Sequence, residues 1–184
     1  MNTLLAIVAY LAALNPVRTR LGIPENDNGG ARMGLLGPGT AIGVVTLVGI
    51  AAISGPVLDA VEISPETFRI AAGFVLVIVA AWMMFVPIPA SEPVPDGVAA
   101  RFWPVAYPRV ISPETITLTL TIGASDGLGS VWPGLGLAAA VLVALGPLRM
   151  GRLTGRVMSS LGRVAAVILV VVGVWLAIQG VREV

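Results

Sequence analysis

The sequence predicts an all-α integral membrane protein whose six transmembrane segments form two inverted repeats of three helices. Three observations lead to this fold class. Hydrophobic residues make up 57% of the chain and charged residues only 11%, whereas soluble domains carry roughly 25% charged residues. Long apolar stretches alternate with short polar or proline-rich connections. The arginines concentrate in alternate connections, as expected of a chain that crosses a membrane repeatedly.

Composition also limits the chemistry that the chain can perform. It contains no histidine and no cysteine, which excludes a thiolate nucleophile, a disulfide, a haem held by either residue and the usual zinc sites. We therefore expect no catalytic residue, no metal and no cofactor, and we do not expect an enzyme. A net charge of +1 provides no basic stripe for nucleic acid. The expected partner is the lipid bilayer, and the sequence is compatible with a homo-oligomer or with a larger membrane complex.

The first segment, Met1–Val17, is apolar but slightly shorter than the roughly 20 residues that cross a bilayer. Because Pro16 interrupts it, the segment either continues as a second half-helix through Val17–Ile23 or stops at Arg18. It has no basic start and no cleavage signal, so we do not expect a removed signal peptide. The polar stretch 18–32, which contains PENDNGG, is predicted to be a loop.

Four further spans are predicted from continuous apolar stretches, at Met33–Ile53, Phe68–Val86, Val131–Leu148 and Val157–Ile178. Within the first of these, Gly39-x-x-x-Gly43 is a small-xxx-small pattern that allows close helix contact, although it is weak as a dimer motif. Residues 87–101 form a proline-rich connector, which we do not expect to be helical. The glycine-rich residues 126–134 are predicted to be a loop.

The fourth segment, Pro104–Asp126, differs from these because it combines apolar residues with three prolines, an arginine and a glutamate. Pro108 and Pro113 each remove a backbone donor and should break a helix. The backbone groups released in this way are tolerated in a bilayer only where protein or a water-filled cavity surrounds them. We therefore expect a proline-broken segment that lines a site, like the first segment around Pro16.

The pentapeptide ISPET occurs twice, at Ile63–Thr67 and at Ile111–Thr115. Serine is a favoured helix N-cap, proline suits the first helical position, and an acidic residue suits the positive end of the helix dipole. The repeated pentapeptide thus predicts two helix starts.

The charge distribution predicts the orientation in the membrane. Loops one, three and five carry the arginines, namely Arg18, Arg20, Arg32, Arg101, Arg149, Arg152 and Arg156. Loops two and four carry Asp59, Glu62 and Asp126 instead. Under the positive-inside rule the odd loops face the cytoplasm and both termini face outward. Residues 1–184 then form a single transmembrane domain with halves 1–86 and 102–178, and the odd number of spans in each half makes the repeat inverted.

The candidate substrate-binding residues lie at the two proline-broken segments; they are Asn15, Pro16, Arg18, Pro108, Arg109, Pro113, Glu114, Thr115 and Thr117. A charge at the centre of a membrane helix costs roughly 2.5–3.5 kcal/mol on insertion scales, which favours a functional role. Structural alternatives stay open. Glu114 can serve as a helix N-terminal acid, Arg109 can reach to the membrane surface, and Asn15 can form an interhelical hydrogen bond. Threonine hydroxyls in a helix can also bond a carbonyl one turn back.

Three short blocks together resemble the MarC family of small bacterial membrane proteins, within the wider LysE-like exporter superfamily. They are Leu14–Pro16, Ser64–Gly73 (SPETFRIAAG), and Val105–Pro108 followed by Ser112–Thr117 (SPETIT). The resemblance implies a multi-pass protein of the bacterial plasma (inner) membrane with a transporter-like role.

Two functional hypotheses follow. The first is a transporter or exporter of a small solute, with its site between the two broken helices. The alternative is a non-transporting accessory subunit of a larger membrane complex. Because Arg18 and Glu114 stand where the family tends to have glycine, the resemblance does not carry a substrate over to this chain.

Overall fold

The computed structural model describes residues 2–21, 29–86, 102–103, 105–145 and 152–184. These ranges contain no β-strand. Their α-helices are α1 Thr3–Leu14, α2 Pro16–Leu21, α3 Gly29–Ala60, α4 Pro65–Phe85, α5 Pro113–Asp126, α6 Leu128–Leu145 and α7 Arg152–Glu183. A wide turn at Ala106–Val110 precedes α5, and it is closed by hydrogen bonds from Val110 N to Val105 O (3.0 Å) and from Ile111 N to Ala106 O (2.7 Å).

Four helical stretches are long and apolar enough to cross a membrane; they are Gly34–Ala60, Pro65–Phe85, Leu128–Leu145 and Ser159–Glu183. At 1.5 Å per residue, even the shortest is roughly 27 Å long, close to the thickness of the hydrocarbon core. Their outward faces are apolar, with Val45, Phe74, Trp132 and Val171 each more than half exposed. Such broad apolar exposure fits contact with lipid. The all-α membrane class predicted from composition is therefore confirmed.

The two ISPET pentapeptides both begin helices, as predicted. Ser64 caps α4, where its side chain accepts a hydrogen bond from Thr67 N (3.2 Å) and Pro65 occupies the first position. Ser112 caps α5 with a reciprocal pair of bonds, because Thr115 Oγ1 also accepts from Ser112 N (2.9 Å). The same local chemistry therefore starts both helices, but only the second cap is buried.

Replacing Ser112 by alanine should lower the free energy of unfolding by at least about 1 kcal/mol, the usual value of an N-cap. Ser64→Ala is the matched control, and we expect a smaller loss there because water can replace the exposed hydroxyl. Thermal unfolding of both variants in mild detergent measures the difference. Equal losses, or a larger loss for Ser64→Ala, would contradict the importance of the buried cap.

Glycines allow close contact between α4 and α7, which pack along each other. A Cβ atom at Gly73 would lie 2.8 Å from Ala177 N, and one at Gly173 would lie 2.8 Å from Gly73 O. Near the other end of the pair, a Cβ atom at Gly180 would lie 2.8 Å from the carbonyl oxygen of Glu66. Small residues at such positions let helix backbones approach, which is the main source of helix association in lipid.

The Gly39-x-x-x-Gly43 pattern on α3 makes a close contact within the chain. A Cβ atom at Gly39 would lie 2.6 Å from Val105 Cβ, and one at Gly43 would lie 2.6 Å from Val110 Cβ. The absence of a side chain at both glycines therefore allows the wide turn to pack closely against α3. Farther along, Gly123 of α5 packs on α3, since its Cβ atom would lie 2.9 Å from Ala51 O. These contacts fix the position of the second broken segment.

Several predicted boundaries were wrong. The predicted loop at 126–134 is reduced to Gly127 (φ 76°), and α6 begins at Leu128. Residues 18–21 belong to α2, so the first segment continues as the second half-helix that was one of the two alternatives, and the loop predicted for 18–32 does not begin at residue 18. α3 continues past Ile53 to Ala60, so that it includes Asp59. Glycine and proline are weaker helix breakers in a membrane than in water, because neighbouring helices surround the freed backbone groups. The connector 87–101, residue 104 and residues 22–28 lie outside the described residues.

Candidate functional site

Asn15 separates α1 from α2. Its backbone is left-handed (φ 41°, ψ 66°), a conformation that asparagine tolerates better than most residues. Its side-chain amide donates to Gly162 O (2.9 Å), and its Oδ1 accepts from Arg18 N (3.2 Å). Thr19 Oγ1 donates to Leu14 O (3.0 Å). These side chains form hydrogen bonds with backbone groups that have lost their helical partners at the interruption. Asn15 also makes the interhelical hydrogen bond that was expected as the alternative to substrate binding.

Arg18 joins the first interruption to the end of α4. Its guanidinium donates to the carbonyl oxygens of Met83 and of Val86, the latter at 3.2 Å. Carbonyls at a helix C-terminus have no partner within the helix and carry partial negative charge, so an arginine there is well placed. Arg18 is thus part of the framework of the site, and its side chain also lines the cavity described below.

The second interruption lies between the wide turn and α5. Thr115 is fully buried, and its hydroxyl donates to Val110 O (2.6 Å) while it also bonds the Ser112 cap. The threonine hydroxyl therefore satisfies a carbonyl released at the break. Thr121 Oγ1 bonds the carbonyl of Thr117 in the same manner (2.8 Å). Both bonds match the structural alternative for these threonines.

One cavity of about 530 Å³ touches both interruptions; we call it the junction cavity. Its polar lining comes from Asn15, Arg18, Thr19, Arg109, Ser112 and Glu114. Its apolar lining comes from Leu14, Pro108, Pro113 and one face of α4, namely Ile78, Val79, Trp82 and Met83.

Six of the nine candidate residues line this cavity; they are Asn15, Arg18, Pro108, Arg109, Pro113 and Glu114. Pro16, Thr115 and Thr117 are not among its lining residues. The α4 wall and Thr19 were not predicted. The sequence gives no signal for that wall, because an apolar span looks the same whether it faces lipid or a cavity.

Glu114 is the most deeply buried acidic side chain of the described residues, at 6% exposed. It occupies the first turn of α5, where the helix dipole favours a negative charge. Arg18, which lines the same cavity, is the opposite charge that acts on it. Charges interact more strongly inside a protein than in bulk water. The cavity can therefore hold a charged group of a ligand against an apolar wall.

The fold and this cavity define a polytopic α-helical membrane protein with a partly polar pocket lined by its helices. A family model described as MarC family integral membrane protein matches residues 38–184. The chain therefore belongs to the MarC family. The match includes the SPETFRIAAG and SPETIT blocks, whereas Leu14–Pro16 precedes it. Neither the search of curated proteins nor the search of solved structures finds a match.

Proposed function

We propose that this protein transports a small, charged, amphipathic solute across the membrane and binds it in the junction cavity. The observation that carries the proposal is that both chain interruptions face this one cavity. There they bring Arg18, Arg109 and Glu114 beside an apolar wall. Discontinuous helices that meet near the bilayer midplane are a recurrent way to build a transport site. In this proposal the protein is a carrier and not an enzyme.

The chemistry of the cavity supports this solute class. Guanidinium groups attract anionic groups and the Glu114 carboxylate attracts cationic ones, so the solute carries at least one of these charges. Trp82 and Met83 on α4 offer an apolar surface to the remainder of the molecule. A volume of about 530 Å³ is within the range of small-molecule sites.

We also propose six crossing segments in two inverted halves, 1–86 and 102–178. The pairing of the helices supports this arrangement. A twofold axis that exchanges the two halves relates α1 to α5, α3 to α6 and α4 to α7. The observed contact of α1 with α6 then corresponds to the contact of α5 with α3, and α4 packs on its own counterpart α7. The resemblance to the MarC family supports a bacterial plasma membrane location, and the arginine distribution supports an orientation with both termini outside. A homo-oligomer or a larger membrane complex is compatible with this proposal, as is membership of the LysE-like superfamily.

Solute efflux from proteoliposomes tests the proposal. The liposomes are loaded with three solutes that have similar apolar parts. Leucine carries both charges, hexanesulfonate carries a negative charge and hexyltrimethylammonium carries a positive charge. We expect faster efflux of at least one of them than from protein-free liposomes. Glu114→Gln should reduce that efflux at least about tenfold, the equivalent of roughly 1.4 kcal/mol of lost interaction.

Glu66→Gln is the matched control for Glu114→Gln. Glu66 has the same place in the other ISPET pentapeptide and does not line the junction cavity. We expect its efflux to stay near that of the natural chain. Efflux of all three probes at the protein-free rate, or an equal effect of the two substitutions, would overturn the proposed function.

A further inference from the structure

A second cavity of about 300 Å³ lies at the opposite end of the bundle; we call it the far cavity. Its polar lining includes Asn2, Arg69, Ser125, Asp126, Gln179 and Glu183. These residues belong to the starts of α1 and α4 and the ends of α5 and α7, whereas the junction cavity lies at the end of α1 and the start of α5. The proposed substrate site does not include it.

Three helices run from one cavity to the other. Each contributes a lining residue to both, namely Leu5 and Leu14 on α1, Arg69 and Val79 on α4, and Ile122 and Glu114 on α5. On α5 the two lining residues are two helical turns apart on one face, which is a distance of roughly 12 Å. The cavities are therefore aligned along the same helices and separated by a short barrier.

One large side chain on each of these helices lies, along the helix, between the residues that line the two cavities. Tyr10, Leu76 and Leu118 are fully buried and belong to the same core cluster. Tyr10 also donates a hydrogen bond to Thr119 Oγ1 (3.0 Å), which joins α1 to α5 at this level. We call these three side chains the central plug.

The two cavities also share their chemistry. The junction cavity combines Arg18 and Glu114 with an apolar wall. The far cavity combines Asp126 and the ion pair between Arg69 and Glu183 with Trp175 and other apolar residues. We propose that the far cavity is the binding site for the same class of small, charged, amphipathic solute on the other side of the membrane, and that the central plug separates the two sites. This inference rests on the proposed transport function.

Single cysteines test the geometry directly, because the natural chain contains none. The probe is a membrane-impermeant cationic methanethiosulfonate, applied to one side of oriented proteoliposomes at a time. Met83→Cys reports on the junction cavity, Ser125→Cys on the far cavity and Leu118→Cys on the plug. We expect the first two to react from opposite sides and Leu118→Cys to react slowly from both. Reaction of Met83→Cys and Ser125→Cys from the same side would overturn the inference.

A second set of variants tests the plug. Adding Tyr10→Ala to Leu118→Cys should raise its reaction rate at least about tenfold, since the truncated side chain leaves an open space beside it. Leu142→Ala is the control, because Leu142 is fully buried on α6 and lines neither cavity. If Tyr10→Ala does not fold, judged by thermal unfolding, Leu76→Ala replaces it. An unchanged rate in the folded plug variant would overturn the inference.

These labelling results do not depend on solute flux, so the two proposals can fail separately. Loss of flux in Glu114→Gln together with same-side labelling would retain the transport function and reject the far cavity. Opposite-side labelling together with normal flux in Glu114→Gln would reject the role of the junction cavity in the proposed function, and with it the inference that depends on that role.

Discussion

Gly73→Val is expected to prevent assembly of the bundle. A Cβ atom at this position would already lie 2.8 Å from Ala177 N and would also meet the carbonyl of Gly173, and backbone atoms cannot move aside as a flexible side chain can. Overpacking of a well-packed core usually costs about 1–3 kcal/mol. The cost should be greater here because the two helices must separate along their whole contact. Total stability is only about 5–15 kcal/mol.

Size-exclusion chromatography and thermal unfolding in mild detergent measure this effect. Gly49→Val on α3 is the matched control, because a Cβ atom at Gly49 meets nothing within 4 Å. We expect the control to give a monodisperse helical protein and Gly73→Val to give aggregated or poorly folded material. Equal behaviour of the two variants would show that the α4–α7 contact does not limit folding.

Arg18→Lys is expected to weaken both the fold and transport, although it keeps the charge. The guanidinium donates to two carbonyls at the end of α4, whereas an ammonium is a compact, strongly hydrated donor that does not reproduce this geometry. Hydrogen bonds to charged groups contribute about 1.5–3 kcal/mol each, so the loss of one should be visible in thermal unfolding. Efflux should fall as well, because Arg18 positions the first interruption against the cavity.

Arg163→Lys is the control for this substitution. Arg163 lies on α7 near the same end of the bundle, and its side chain is exposed. We expect its stability and efflux to match those of the natural chain. If Arg18→Lys behaved in the same way as this control, a general positive charge would be sufficient at position 18 and the anchoring role would be wrong.

Local chemistry made the helix starts at Ser64 and Ser112 predictable, since the cap, the proline and the acid act within one turn. The close contacts of Gly39 and Gly43 were predictable for a similar reason, because only small residues permit them. The sequence did not indicate that these glycines would contact the wide turn before α5. That choice depends on the packing of segments distant in the chain.

The candidate site could be predicted only in part. The prolines indicated where the candidate residues should be sought, and two of these prolines and four residues near them line the junction cavity. The roles of these residues were harder to assign. Asn15 and Arg18 bond carbonyls of α7 and α4, and neither partner can be identified without the tertiary structure. The same limit applies to Trp82 and Met83, whose apolar character is shared by every lipid-facing residue.

The glycine contacts between α4 and α7 restrict how this protein can move. At these glycines the two backbones leave no room for side chains to slide or repack, so we expect this pair to behave as one rigid body. The contact between α1 and α5 is different, since Tyr10 and Thr119 meet there through a single hydrogen bond between side chains. A rocking motion of the bundle would therefore separate α1 from α5, with α4 and α7 as its fixed axis.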